Sequence, residues 1–376
     1  MSAKNSNKKK LLFIVGTRPE AIKTIPVYFE AKKNVNFETR LLVSGQHKEL
    51  MDSVLEDFEV NADYTLVDSN DKHGLLNTFT RLTVEIEEII NEFLPDLVFV
   101  HGDTLTAYVG SLVCFFKRIP IAHIESGLRT YDMYSPYPEE FFRVSIDRVS
   151  GLYFCPTKQN MKNLLREGIE KNVVITGNTG IDALRIILDK YNRNTSSAKI
   201  KPYVLVTAHR RESFGVPLEN IFMAINHLAV KYRELDFYIP LHPNPLVIES
   251  AKQLDSSLSN IIVDIPQSYK DFAQKLSKAY IVMTDSGGIQ EEAAYLGKPL
   301  IILREKTERP EVLTSNNALL VGTEIRRIIE SFESIIDDQS VYDRMSNSSK
   351  VFGTGYASQI IIHKVIEFLT LGMDQR

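Results

Sequence analysis

The chain has 376 residues, of which 44% are hydrophobic and 24% charged, and its formal net charge is −4. That supplies apolar material for two cores, and the length suggests two domains. The balance provides no basis for binding nucleic acid or an anionic membrane, no run reaches the ~18 apolar residues of a membrane span, and two cysteines are too few for a disulfide framework.

Residues 1–10 read as a basic, solvated tail. The apolar run behind it, Leu11–Val15, is too short for a signal-peptide core and is expected as the first strand. A helical stretch follows over Ala21–Lys33, then a strand over Thr39–Ser44, a helix over Leu75–Phe93 and a strand over Leu97–His101. Strands over Ile119–Ile124, Leu152–Cys155 and Val173–Thr176 complete the first half, with a helix over Glu139–Val149. The runs Val98–Val100 and Ile119–Ile124 are apolar on both faces, as in a parallel sheet covered by helices. Cys114 and Cys155 each lie in an apolar stretch and are expected as core thiols, which points to the cytosol.

The second half repeats the theme. Strands are expected over Tyr203–Thr207, Phe237–Pro240, Ile261–Val263, Ile281–Thr284, Leu300–Leu303 and Leu319–Val321. Helices are expected over Ile181–Lys190, Leu218–Lys231, Ser268–Ser277, Ile289–Tyr295, Glu324–Asp338 and Ser358–Leu371. Strand–helix alternation throughout implies an α/β protein of two doubly wound domains, 1–177 and 178–355, with the change near Gly177–Asp182. In such sheets ligands bind beyond the carboxyl ends of the strands, so the residues just after each strand carry the function.

After the first strand comes Gly16-Thr-Arg18-Pro-Glu20-Ala-Ile-Lys23, a turn into a helix whose N-terminus suits an anion, with Arg18 added. It has the spacing of neither a P-loop nor a dinucleotide fingerprint, and the G-x-G at Gly353–Gly355 does not follow a strand, so no nicotinamide cofactor is expected. Asp103 and Glu125 end successive strands in His101-Gly-Asp103-Thr and His123-Ile-Glu125-Ser-Gly127-Leu-Arg129, and Glu139 opens a helix in Pro138-Glu139-Glu140-Phe-Phe-Arg143. Carboxylates so enclosed can be tuned as acid and base, although a carboxylate at a helix start is often only a dipole partner.

The second half adds His209-Arg210-Arg211-Glu212 after a strand, then His242-Pro-Asn244-Pro, then Asp285-Ser286-Gly287-Gly288-Ile-Gln290-Glu291-Glu292. Ser286, Gly287 and Gly288 leave backbone N–H groups open at a helix start, an arrangement suited to a pyrophosphate. Glu292 lies about a turn and a half further on, within reach of a ribose diol. Arg309 follows the strand Leu300–Leu303. Taken singly, His242 also reads as a loop histidine and Arg309 as a surface charge.

The ordered phrases GTRPEAIK, SGQH, HGDT, HIESGLR, SPYPEE, HRRESFG, HPNP, TDSGGIQEE and ERPE resemble the non-hydrolysing UDP-N-acetylglucosamine 2-epimerases over nearly the whole chain. The resemblance implies two Rossmann-like domains facing a cleft in the GT-B arrangement, with the C-terminal helix, 356–376, packing back on the first domain. It implies sugar handling by the first domain and UDP binding by the second. Asp103, Glu125, Glu139 and His209 take the catalytic positions, and Arg18, Lys23, His242, Ser286, Gly287, Gly288, Glu292 and Arg309 the substrate and UDP positions. Gln46, His47 and Arg210 fall where a second UDP-N-acetylglucosamine binds as activator. The implied enzyme is a homodimer serving surface polysaccharide synthesis, with no metal and no cofactor. Rival readings are a hydrolysing epimerase that releases free N-acetylmannosamine, a GT-B glycosyltransferase using a UDP-sugar, and a silent nucleotide-sugar sensor. The three carboxylates of the first half favour an epimerase over a transferase, and a sensor would have lost one of the four catalytic candidates.

Overall fold

The computed structural model describes residues 8–45, 48–66, 74–191, 201–265 and 267–371. The chain divides into two compact units, one of residues 1–186 and 353–376 and one of residues 187–352. Each is a Rossmann-like, doubly wound α/β unit.

The first unit runs β1 (Lys9–Val15), α1 (Arg18–Lys32), β2 (Phe37–Val43), α2 (Lys48–Phe58), β3 (Tyr64–Thr65), α3 (Leu75–Phe93), β4 (Leu97–His101), α4 (Leu105–Phe116), β5 (Ile121–Ile124), α5 (Glu139–Val149), β6 (Leu152–Cys155), α6 (Lys158–Arg166), β7 (Val173–Ile175) and α7 (Thr179–Tyr191). Its seven strands are parallel in the order β3-β2-β1-β4-β5-β6-β7. The last five residues of β1 and all of β4 are buried, as strands covered on both faces must be. Phe13 pairs with Phe99 in register, and their rings stack at 4.2 Å. On one face Leu12, Ile14, Val98 and Val100 pack with Leu82, Ile86 and Ile90 of α3 and Val109 and Val113 of α4.

The second unit continues with β8 (Tyr203–Thr207), α8 (Val216–Lys231), β9 (Asp236–Pro240), α9 (Pro245–Ser250), β10 (Ile261–Asp264), α10 (Tyr269–Lys278), β11 (Ile281–Thr284), α11 (Gly287–Tyr295), β12 (Leu300–Ile302), β13 (Ala318–Leu320), α12 (Ile325–Ile336) and α13 (Gln339–Met345). Six parallel strands lie in the order β10-β9-β8-β11-β12-β13. Val204, Val206, Ile281, Met283 and Ile301 form a core with Ile221, Phe222 and Ile225 of α8 and Ile328, Phe332 and Ile335 of α12.

The chain then returns to the first unit with α14 (Ala357–Leu371), which packs on α1. The buried Asp182 caps it: its carboxylate accepts from the backbone N–H groups of Ala357 (3.0 Å) and Ser358 (2.8 Å) and from the Ser358 hydroxyl (2.6 Å). Arg185 donates to the Gly355 carbonyl at 2.8 Å and stacks over Tyr356. These contacts keep the start of α7 with the first unit, so the division falls after Ile186, beyond the Gly177–Asp182 segment where the sequence suggests a change.

Several elements lie outside the sequence-based expectations. The helix α4 is apolar nearly all round, with eight buried residues, and offers no polar stripe for periodicity to reveal. The helix α1 begins three residues early, because Thr17 and Glu20 cap it and a proline fits its first turn. The strand β5 begins after Pro120, which has no N–H to give a ladder. Among the described residues no helix is long and apolar enough to cross a membrane, and both cysteines are buried and free.

Strand order reverses between β1 and β4 in the first unit and between β8 and β11 in the second. Each reversal opens a crevice at the carboxyl ends of the flanking strands, and ligands bind such sheets there.

Candidate functional site

In the first unit, β1 runs into Gly16, where only glycine fits: a Cβ there would lie 2.6 Å from the Thr106 Cβ. Glu20, one turn into α1, folds back under this turn. Its Oε2 accepts from the N–H groups of Gly16 (3.0 Å) and Thr17 (2.6 Å), and its Oε1 accepts from the Thr104 hydroxyl (2.6 Å) beyond β4. One buried carboxylate thus ties the two loops at the switch point. Burial raises its pKa from the usual 4.5 to about 7, against the lowering effect of those hydrogen bonds.

The acid–base candidates gather around the same crevice. Asp103 follows β4 and pairs with Arg143 of α5. Burial holds its carboxyl above the usual carboxylate range; Arg143 pulls the other way, while Glu125 and Glu139 add to the rise. Glu125 follows β5 with a left-handed backbone (φ 66°), pairs with Lys23 of α1 and accepts from Asn178 at 3.4 Å. His101 ends β4 with its Nε2 3.8 Å from Glu125. Burial drives its pKa down to about 3, so this imidazole is neutral at neutral pH. Neither of its ring nitrogens has a hydrogen-bond partner among the described residues, and the same holds for the buried Oε2 of Glu139. Buried polar atoms without partners inside a cluster of carboxylates are groups waiting for a polar ligand.

A second buried network shapes the loop that carries Glu125. Asp147 of α5 meets His123 Nδ1 at 2.7 Å and Arg129 at 2.8 Å, and accepts from the Gly127 N–H at 3.2 Å. Arg129 also makes a two-pronged pair with Glu167, at 2.6 and 2.8 Å. Burial alone would raise the Asp147 carboxyl, but His123 and Arg129 outweigh it and hold it low. His123 Nε2 faces the Gly102 carbonyl at 2.8 Å, which links the loop after β5 to the loop after β4.

In the second unit, Asp285 follows β11 and is fully buried. Its Oδ2 accepts from the N–H groups of His209 (2.8 Å) and Arg210 (2.7 Å), beyond β8. The His209 ring stacks on His242, centroids 5.1 Å apart and planes within 10°. Burial lowers both imidazoles below their usual value, so both are neutral at neutral pH. The N-cap residue Ser286 makes no side-chain cap to the first turn of α11, and no acid sits in that turn. Among the described residues nothing lies within 4 Å of where a Gly288 Cβ would stand. Open N–H groups, the helix dipole and the Arg210 guanidinium near Gly287 suit an anion. Further along α11, Glu292 accepts from the Tyr269 hydroxyl at 2.8 Å, and Glu291 pairs with Arg309.

The structure therefore brings Lys23, Asp103, Glu125 and Glu139 together in one unit and His209, Arg210, His242, Ser286, Gly287 and Gly288 at the switch point of the other, with Glu292 further along its α11 and Arg309, beyond β12, paired with Glu291 of that helix. Arg18 opens α1, the helix that also carries Lys23, while Gln46 and His47 lie outside the described residues. Sequence reasoning gave no role to Glu20, His101, Arg143 or Asp285. The spacing Thr17-x-x-Glu20 is a capping-box signal; for Asp285 and Arg143 the signal is only adjacency to named motifs. Among the described residues no group of three or more His, Cys, Asp or Glu side chains is placed to hold a metal ion.

Residues 30–366 match the family model described as UDP-N-acetylglucosamine 2-epimerase. The UDP-N-acetylglucosamine 2-epimerase of Neisseria meningitidis serogroup A is 42% identical, over 95% of this chain and 99% of that one. The crystal structure of a Neisseria meningitidis UDP-GlcNAc 2-epimerase bound to UDP-GlcNAc superposes with a TM-score of 0.89 at 41% identity, covering 95% of this chain and 100% of that one. The S. aureus MnaA–UDP co-structure does so with a TM-score of 0.87 at 39% identity, covering 96% and 97%. On the length and level of this match, the chain belongs to the UDP-N-acetylglucosamine 2-epimerase family.

Proposed function

We propose that this chain interconverts UDP-N-acetylglucosamine and UDP-N-acetylmannosamine without hydrolysis, by elimination and re-addition of UDP. The observation that carries the reading is the cluster of Asp103, Glu125 and Glu139 around a neutral His101, with buried oxygen and nitrogen atoms left for a ligand. Carbon 2 of the sugar has no neighbouring carbonyl, so its hydrogen is not acidic in the ground state. Departure of UDP breaks the C1–O bond, and the positive charge developing at carbon 1 acidifies that hydrogen. A carboxylate of the cluster takes the proton, which leaves 2-acetamidoglucal and UDP. A proton delivered to the opposite face of carbon 2, with return of the UDP oxygen to carbon 1, yields the epimer. Atoms balance, and no water enters.

The second unit supplies what the leaving group needs: the open N–H groups of α11 for the pyrophosphate, Glu292 for the ribose and His209 for the departing phosphate. The three carboxylates serve as base, acid and stabiliser of the cation. By the same reading the enzyme is a cytosolic homodimer feeding surface polysaccharide synthesis, and Arg210 contacts an activating UDP-N-acetylglucosamine. The test is incubation with UDP-N-acetylglucosamine in deuterated water. UDP-N-acetylmannosamine carrying deuterium at carbon 2 is the expected product. Free N-acetylmannosamine would make the enzyme a hydrolysing one, and retention of the original hydrogen would refute proton exchange with solvent.

A further inference from the structure

We propose that Asp285 is a positioning residue for His209: it holds the imidazole with Nδ1–H toward its own carboxylate, so that Nε2 is the nitrogen offered to the departing phosphate. The phosphate half of this statement rests on the epimerase reading above; the pairing itself does not.

The geometry starts in the sheet. Thr207 and Thr284 face each other in register at the ends of β8 and β11, and their hydroxyls bond at 2.6 Å. The residue after β11 is Asp285, whose N–H donates to the Thr207 carbonyl at 3.2 Å. Its side chain turns across the switch point. Oδ2 takes two backbone N–H groups, His209 and Arg210, and so fixes the path of the loop. Oδ1 is buried with no hydrogen-bond partner among the described residues, and stands 3.8 Å from His209 Nδ1. A buried carboxylate oxygen without a donor is costly, so a nearby donor has a reason to close on it. A charge-assisted N–H···O bond is about 2.7–2.9 Å long, so a shift of about 1 Å by the imidazole completes it.

The other charged groups around His209 do not compete for that oxygen. Arg210 directs its guanidinium to Glu308, 4.0 Å away. His242 Nδ1 accepts from the Asn244 N–H at 3.2 Å, and the His242 ring stacks on a face of His209 and leaves its Nδ1 edge to Asp285. Burial, His242 and Arg210 all lower the His209 pKa; Asp285 alone raises it. Without that carboxylate the ring has nothing to hold a proton for the leaving group. With it, an Nδ1–H···Oδ1 bond sets the tautomer and stabilises the cation once Nε2 meets a phosphate.

The alternative is that Asp285 only pins the backbone. The two roles separate in Asp285→Asn. An asparagine oxygen still accepts from both backbone N–H groups, but an NH2 then faces His209 Nδ1 and forces that nitrogen to accept. The experiment is 15N NMR of the full chain with labelled histidines, eight in all, His209 being assigned by its loss in His209→Asn. In the wild type above its titration, free and saturated with UDP, His209 is expected as the Nδ1–H tautomer. In Asp285→Asn it is expected as the Nε2–H tautomer, with a midpoint lower by about one pH unit or more. There kcat for UDP-N-acetylglucosamine falls by about 10²-fold, the lower end of what a positioned acid or base contributes, with KM changed much less and the alkaline limb moved to lower pH. An Nε2–H tautomer in the wild type overturns the proposal without recourse to any variant. So does a variant that keeps the wild-type tautomer and midpoint. Because the spectra need no turnover, a wild type inactive on UDP-N-acetylglucosamine would refute the epimerase reading and still leave the pairing measured.

Discussion

Replacing Glu20 by glutamine tests whether burial at the first switch point keeps its carboxyl protonated up to about pH 7. The carboxylate is 2% exposed and accepts three hydrogen bonds, two from backbone N–H groups at the end of β1 and one from Thr104. Burial nonetheless dominates and lifts its pKa from 4.5 to about 7. A carboxyl whose folded value lies above its unfolded value binds its proton more tightly in the folded state. Its contribution to stability is therefore complete below about pH 4.5 and is lost as the pH rises through about 7. At about 1.4 kcal/mol for each pH unit between those values, the loss is about 3 kcal/mol. Glutamine keeps the shape and one acceptor oxygen for Gly16 and Thr17, turns an NH2 toward the Thr104 oxygen, and carries no charge. Urea unfolding from pH 5 to 8 should show wild-type stability falling relative to Glu20→Gln by most of that amount, and other titrating groups cancel in the comparison. Parallel curves for the two proteins would show that Glu20 does not titrate in this window, and the account of its burial would be wrong.

Other substitutions probe the remaining parts. Glu292→Ala removes a buried acceptor assigned to the ribose, and calorimetry should show UDP binding weakened by about 1.5–3 kcal/mol, with Tyr269→Phe giving a smaller loss; unaltered affinity would end the ribose assignment. Arg129→Met leaves Asp147 buried without its guanidinium partner, and should lower stability by about 3–5 kcal/mol in thermal or urea unfolding. Gly16→Ala drives a methyl group against Thr106, with an expected cost of about 1–3 kcal/mol and weaker substrate binding; wild-type stability would mean that the turn yields more easily than its packing suggests. Asp103→Asn and Glu125→Gln should each cut turnover by about 10²–10⁴-fold, since an amide keeps the shape but moves no proton, and product assays in deuterated water would also reveal any variant that accumulates the glycal.

Much of this architecture is legible in the chain because its signals are local. Runs such as Leu11–Val15 and Leu97–Val100 are apolar at every position, which a strand needs only when helices cover both faces of the sheet. The residues after each strand stand out as glycines, histidines and carboxylates where a core would want none, and this marks Asp103, Glu125, His209 and Ser286–Gly288 as candidates. Helices without a stripe escape such a reading, as α4 does, because a helix buried all round has no polar face to set its period. Strand order has no local signature at all. It is decided when β4 pairs with β1, and β11 with β8, each against the far side of a strand that already has a neighbour. Only that pairing brings Glu20 to Thr104 across 84 positions and Asp285 to His209 across 76. In the sequence Asp285 is one acid among many, and what makes it a buried partner for a histidine is the neighbouring strand, since a carboxylate hidden from water must take its donors from whatever backbone the sheet sets beside it.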